Sequence, residues 1–369
     1  MIQTPKTAVQ GPCPWWRLRW LTGTPKGTPK GTPKEKPKGK QSFLTGFRGG
    51  ALALLLSACL FASPASAACE DPPSPVRDII ADRFYVATAK SAAENAIVAR
   101  NRSALATLDS TLNNILNMTD RFLDGDREAA TCAAKWLAAW AKGGAMLGHM
   151  SSQQAEVERK LRTAGIAVGY IKIRPVVEPA ERAAIDAWLD SLADNVTADQ
   201  GWPKNRNSQV YWSGFAAGAV GTATGTKRHL DYARQVYEAA MTDIAPDGTL
   251  RMEMMRRQRS LFYHNYALAP LVMLAELGRL RDEDWYATAD GAIHRLASRT
   301  LAGLRDPRDF AIKAGEQSVD VPKGGLLGWL AFYQRRFPDR VDASVPKGPF
   351  RYPWMGGDLS LLAKIWARS

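Results

Sequence analysis

Histidine and cysteine are scarce in this chain, four of each among 369 residues. His149, His229, His264 and His294 stand far apart, and no cysteine lies at a metal-ligand spacing from another. A metal centre therefore has no support in the sequence, and no metal or organic cofactor is expected. Long apolar runs are also missing. The longest, Ala51–Ala62, is about 12 residues, too short to cross a bilayer as a helix. Period-two alternation of apolar and polar residues is rare, which argues against a sheet-based fold. The net charge of +13 at first suggests a nucleic-acid partner, but it is unevenly spread. Residues 1–67 carry ten Lys and Arg against Glu35 alone, leaving 39 bases and 35 acids in the rest. No nucleic-acid partner is expected of that remainder.

The N-terminal segment reads as a leader. Residues 24–40 repeat Thr-Pro-Lys-Gly with nothing to bury, a disordered composition. The apolar run follows Arg48 and ends near Ala65-Ser66-Ala67, an A-x-A cleavage signal before Ala68. Leu56-Ser57-Ala58-Cys59 also fits a lipoprotein box, the alternative processing route. The extension ahead of the signal is long, as it would be if the start codon had been assigned too early. The expected organisation is a basic extension plus signal peptide over 1–67 and a single domain over 68–369, in a periplasmic or secreted protein without a stable membrane span. Export leaves Cys69 and Cys132 as the two mature cysteines, most simply a disulfide in an oxidising compartment.

The mature chain is rich in helical patterns. Apolar spacing of three and four predicts helices over Ala89–Ile115, Glu128–Leu147, Gln153–Ile171, Pro179–Asp194, Tyr211–Thr224, Arg228–Thr242, Met252–Gly278, Asp282–Leu304 and Gly324–Phe337. Short loops between long helices predict an all-α fold of antiparallel helix pairs, a solenoid or closed toroid.

Chemistry concentrates in one stretch. After the Asp247-Gly248 turn, the predicted helix carries Arg256-Arg257-Gln258-Arg259 and then Tyr263-His264-Asn265-Tyr266. Seven residues bring Arg256 and Tyr263 to nearly one helix face, about 10 Å apart. A guanidinium that clamps a carboxylate, beside a phenol that moves a proton, is what β-elimination from a uronic acid requires. Arg256, Arg257 and Arg259 would also favour the phenolate. By itself such a stretch is more often a solvated basic face than an active site. Two loops add candidates: the polar Gly201–Gln209 segment leading into Tyr211 and Trp212, and the basic, aromatic Lys347–Gly357 segment with Arg351, Tyr352 and Trp354. Either could line a sugar cleft, and either could be an ordinary connection.

Together these stretches resemble the all-helical alginate lyases that cleave mannuronate-rich polymers, from about Cys69 to Gly357. Asp126–Gly144, Asn207–Trp212, Asp247–Leu268 and Arg351–Gly357 carry the similarity. It implies an incomplete (α/α) toroid with a deep cleft and an anionic polysaccharide as partner, in a chain expected to act as a monomer. By the same resemblance Arg256 neutralises the C5 carboxylate, and Tyr263 protonates the leaving O4 and can also take the C5 proton. The sequence departs from the family pattern where Asn-His is usual: Ser208-Gln209 stands there. Gln cannot accept a proton, so an anti elimination that depends on histidine is not expected. Ser208 and Gln209 join Arg256 and Tyr263 as the catalytic set, with Asn207, Tyr211, Trp212, Arg257, His264 and Arg351 as substrate-binding candidates. The expected activity is a lyase on polymannuronate. The alternatives are another uronate polymer such as glucuronan, or periplasmic polysaccharide binding without turnover. Exo or endo action would depend on whether the segment near Phe84–Lys90 closes one end of the cleft.

Overall fold

The three-and-four spacing is realised as thirteen helices among the described residues, in the order α1 Ala92–Ala104, α2 Ala106–Leu123, α3 Arg127–Gly143, α4 Gln153–Ile173, α5 Pro179–Thr197, α6 Ser208–Thr224, α7 Lys227–Asp243, α8 Arg251–Met254, α9 Ser260–Arg279, α10 Thr288–Arg305, α11 Arg308–Ala314, α12 Leu330–Arg336 and α13 Leu359–Trp366. A two-stranded antiparallel pair, β1 Arg351–Tyr352 and β2 Gly357–Asp358, is the sole named sheet there. This is a computed structural model; it describes residues 69–83, 92–198 and 202–367. The leader, the Phe84–Lys90 segment and Gly201 lie outside those residues. No described helix is long and apolar enough to cross a membrane.

Helix α6 organises the rest. Its sequence, SQVYWSGFAAGAVGTAT, has no charged residue and is buried on all sides, as a helix with no polar face must be. It packs on α4, α5, α7 and α9. Two alternating layers result. Helices α2, α4, α6 and α9 pack in succession, while α3, α5, α7 and α10 lie outside them, with α3 on α5 and α7 on α10. This is the expected helical toroid. The close approach of α7 depends on missing side chains: a Cβ on Gly214 or Gly218 would come within 2.7 Å of Val236 or 3.0 Å of Ala233.

The Cys69–Cys132 disulfide is present. It fixes the start of the domain to α3, where the Trp136 and Trp140 indoles donate to the Glu70 and Pro73 carbonyls.

Several boundaries differ from the sequence reading. The first predicted helix is divided at Leu105 and continues to Leu123. The Asp282–Leu304 prediction is interrupted: Ala289, Asp290 and Gly291 are all left-handed, with φ of 50°, 53° and 67°. The Gly324–Phe337 helix divides into a 3₁₀ turn, Gly324–Leu327, and α12. The break with most consequence falls in Met252–Gly278, which is not one helix. Helix α8 ends at Met254, Arg257 is left-handed at φ 53°, a 3₁₀ turn spans Arg257–Arg259, and α9 begins at Ser260.

Candidate active site

The break between α8 and α9 is held from below by His264. Its Nε2 accepts from the Leu250 N–H at 2.9 Å, so Nδ1 carries the proton and donates to the Ser260 carbonyl at 2.8 Å. The ring is fully buried against Phe310. The substrate-binding role expected for His264 is thus corrected: both ring nitrogens are used to tie the start of α9 to the strand-like segment before α8. Burial lowers its pKa from 6.5 to about 4. The folded protein keeps the imidazole neutral where the unfolded chain would protonate it. Its contribution to stability is full above pH 6.5 and is lost as pH falls toward 4, on the order of 3 kcal/mol. Unfolding midpoints measured from neutral pH to pH 4 should show this slope, and His264→Gln should flatten it.

Arg256 and Tyr263 meet, though not along a continuous helix. Residue 256 follows α8 and Tyr263 lies in the first turn of α9, with the reversal at Arg257 between them. The Arg256 guanidinium carbon sits 4.8 Å from the Tyr263 ring centroid. Its Nε is 3.6 Å from Glu253 Oε2. Glu253 is fully buried, and its Oε1 accepts the Ser208 N–H at 2.7 Å, in the first turn of α6. Burial raises the Glu253 pKa, opposed by the Ser208 N–H and Arg256. One carboxylate therefore joins the start of α6 to the arginine facing Tyr263. The Ser208 hydroxyl is buried beside it.

Gln209 is partly buried, its side chain is beside the Tyr266 phenol, and its Oε1 has no hydrogen-bond partner among the described residues. Burial pushes the Tyr266 phenol well above its usual range, with Tyr352, Tyr263 and Glu158 adding to the effect. The Gln209 carbonyl accepts from Lys160 Nζ at 3.0 Å. Lys160 comes from α4 and is 2% exposed. Behind these groups a run of aromatic contacts leads from Tyr263 to Tyr266 (5.9 Å between centroids), Trp212 (5.3 Å), Trp354 (6.4 Å) and Tyr352 (5.1 Å). The 351–357 segment is in this way joined to the same wall. It lies so close to α4 that a Cβ on Gly165 would be 2.2 Å from the Pro353 carbonyl oxygen.

Other expected binding residues have internal work. Asn207 caps α6, its Oδ1 accepting from the Gln209 and Val210 N–H groups at 3.0 and 3.3 Å, and its carboxamide oxygen is used there because a helix start leaves such donors unpaired. Tyr211 and Trp212 are core residues, and the Trp212 indole donates to the Tyr266 carbonyl at 3.0 Å. Arg257 is exposed and pairs with Glu316 at 2.6 Å, so Arg256 is the member of the arginine run placed over the Tyr263 ring. Arg351 donates to Asp120 at 2.8 Å and to Asn117. Asp120 also holds Lys172, making the Arg351 contact part of a buried network that fixes this segment to α2 and α4.

The family model described as alginate lyase matches residues 76–310. The chain belongs to the alginate lyase family. A polysaccharide lyase of Stenotrophomonas maltophilia (strain K279a) is 40% identical over 316 residues, covering 84% of this chain and 95% of that protein. An alginate lyase of Pseudomonas syringae pv. syringae (strain B728a) is 31% identical over 312 residues, covering 80% and 82%. Among solved structures, a variant of alginate lyase A1-III complexed with tetrasaccharide is similar with a TM-score of 0.71 at 25% identity, over 85% of this chain and 91% of that one. Family membership makes this chain a polysaccharide lyase.

Sequence reasoning within the alginate lyase pattern passed over Glu253 and Lys160. Glu253 had a signal, its three-residue spacing to Arg256. Lys160 sits in Arg159-Lys160-Leu161-Arg162-Thr163, a stretch that reads as a solvated face and is instead buried.

Proposed function

We propose that this chain is an exported lyase that cleaves a 1,4-linked uronic-acid polymer by β-elimination, with polymannuronate the leading substrate. The observation that carries the reading is the Arg256 guanidinium held over the Tyr263 ring by the buried Glu253. Arg256, with Gln209 beside it, takes the C5 carboxylate and draws charge out of the ring, while Ser208, expected in the catalytic set, is buried and acts from behind by holding Glu253. Tyr263 as phenolate removes the C5 proton. The C5–H electron pair becomes the C4=C5 double bond as the C4–O4 bond breaks, and the Tyr263 phenol returns its proton to O4. Both transfers use one face of the sugar, a syn elimination suited to mannuronate. Donors aimed at developing charge can lower such a barrier by several kcal/mol. Because a free phenol titrates near pH 10, the kcat optimum is expected on the alkaline side.

The test mixes the chain separately with polymannuronate, polyguluronate and glucuronan and follows near-ultraviolet absorbance of the unsaturated product. A rise on polymannuronate supports the reading; a rise on glucuronan alone moves the substrate. Silence on all three, with one polymer still bound, leaves binding without turnover. Gln209→His puts a proton acceptor where the related enzymes carry histidine. It is expected to add cleavage of polyguluronate, whose C5 proton lies on the other face.

A further inference from the structure

The placing of Arg256 over Tyr263, with a buried glutamate behind it, has a counterpart at the other end of α9. Arg336 is the last residue of α12, and its guanidinium carbon stands 6.0 Å from the centre of the Tyr286 ring. Glu276, 2% exposed, holds it there by accepting from Nε and Nη2 at 2.7 Å each. Glu276 also accepts from the Tyr286 hydroxyl at 2.7 Å. Nη1 of Arg336 is left without a partner among the described residues. Arg336 and Tyr286 border a cavity of about 500 Å³, within the usual range for a small-molecule site. Arg279 lines the same cavity and ends α9; it is exposed, with no ion-pair partner among the described residues. Helix α9 separates it from Tyr263 by about 24 Å of axis, so the cavity is no part of the cleft.

The rest of the lining suits a sugar acid. His294 shares Nδ1 with the Tyr333 hydroxyl at 2.9 Å, and its Nε2 has no partner among the described residues. Gly291 leaves that ring edge open, since a Cβ there would come within 2.9 Å of the His294 Cδ2. Residues 289–291 are left-handed, so the regular turns of α10 start at Ala292 and their positive end stands at the cavity edge. The Phe337 ring packs against His294 and Tyr286 at 4.6 and 4.9 Å and supplies an apolar wall. Asp284 and Asp290 complete the rim, exposed and without ion-pair partners among the described residues. A held guanidinium edge beside Arg279 suits one carboxylate. The two aspartates suit sugar hydroxyls and would repel a second carboxylate close by. The Tyr286 hydroxyl is committed to Glu276, and burial keeps it protonated. Unlike Tyr263, it cannot take a proton from a sugar.

Resting on the lyase reading, we infer that this cavity is a second, non-catalytic uronate site that takes the terminal residue of a mannuronate chain. Arg336 and Arg279 take its carboxylate, Asp284 and Asp290 accept from its hydroxyls, and Phe337 lies against its apolar face. A residue inside a polymer would bring a neighbouring carboxylate on each side toward the aspartates, so chain ends are preferred. Short products of cleavage therefore fill the site more readily than the same number of sugar residues in intact polymer.

The experiment is calorimetry on the full chain carrying Tyr263→Phe, titrated with a saturated mannuronate trisaccharide. Two molecules are expected per chain, one in the cleft and one in the cavity. Arg279→Glu should weaken one of them by at least about 10-fold and leave the other unchanged. Arg279 is exposed with no ion pair to lose, so this variant is expected to fold as its parent does. Arg336→Lys keeps the charge without the planar fork and should weaken the same site. A neutral mannose trisaccharide of the same linkage should not fill it, and polymannuronate at equal residue concentration should fill it far less. One molecule per chain overturns the inference, as do two that are indifferent to both arginine variants. Equal binding of the neutral sugar, or equal filling by polymer, overturns it as well. Kinetics of the otherwise unaltered chain separate this from the lyase reading. Two sites without unsaturated product remove the lyase reading and keep the cavity as a uronate site. One site with product formed removes the cavity alone, and absence of both binding and product overturns both.

Discussion

Tyr263→Phe is expected to bind the polymer and fail to cleave it, with kcat down about 10²- to 10⁴-fold and the binding constant nearly unchanged. The substitution removes one oxygen. The ring keeps its edge contacts with Phe262 and Tyr266 at 5.5 and 5.9 Å and its place under Arg256 at 4.8 Å, so the local packing survives. What goes is the group asked both to take the C5 proton and to return one to O4. Product appearance under saturating polymannuronate, with binding by calorimetry, measures both quantities. Retention of more than a tenth of the wild-type rate would assign the proton transfers to another group. Equal losses in binding and rate would mean that the phenol holds the substrate rather than reacting with it.

Glu253→Ala should be the most damaging change to stability and activity together. The carboxylate is buried and serves two elements, the Ser208 N–H of α6 and the Arg256 side chain before α9. Removing it leaves a buried backbone donor without a partner and frees the arginine. The expected loss is about 2–4 kcal/mol, the lower part of the range for breaking a buried pair, because the Arg256 side chain is 31% exposed and water screens part of the interaction. Turnover should fall by a further 10²-fold or so as the guanidinium leaves its alignment. Glu253→Gln can still accept the Ser208 N–H, so it should recover most of the melting temperature and only part of the rate. Thermal unfolding together with kcat/KM on polymannuronate checks both arms. An alanine variant with an unchanged midpoint would show that the Ser208 N–H finds another acceptor.

Arg256 and Tyr263 show how far the sequence could be read. Their spacing predicts two turns of one helix, whereas the chain reverses at Arg257 with φ 53°. The pair meets all the same, because His264 ties Leu250 to Ser260 and folds α8 back onto the start of α9. That reversal had no local signal: Arg257 carries no glycine or asparagine to announce a left-handed residue. His264, Tyr211 and Trp212 were misplaced for a related reason. A motif names the residues that matter without saying whether they touch substrate or hold those that do, and these three are buried.

The sequence by itself determined the helical architecture, since apolar spacing of three and four leaves a helix no other way to hide its stripe. It pointed to the Cys69–Cys132 pairing, which the structure contains. It also carried the family, through the 247–268 stretch. Tertiary structure decided which polar groups are withdrawn from water. Glu253 and Lys160 stand in segments that read as solvated, and only the packing of α4 against α6 and of α8 beneath α9 buries them beside Ser208 and Gln209. Burial is set by residues far away in the chain, and for a charged group burial fixes its protonation and the partners it must find.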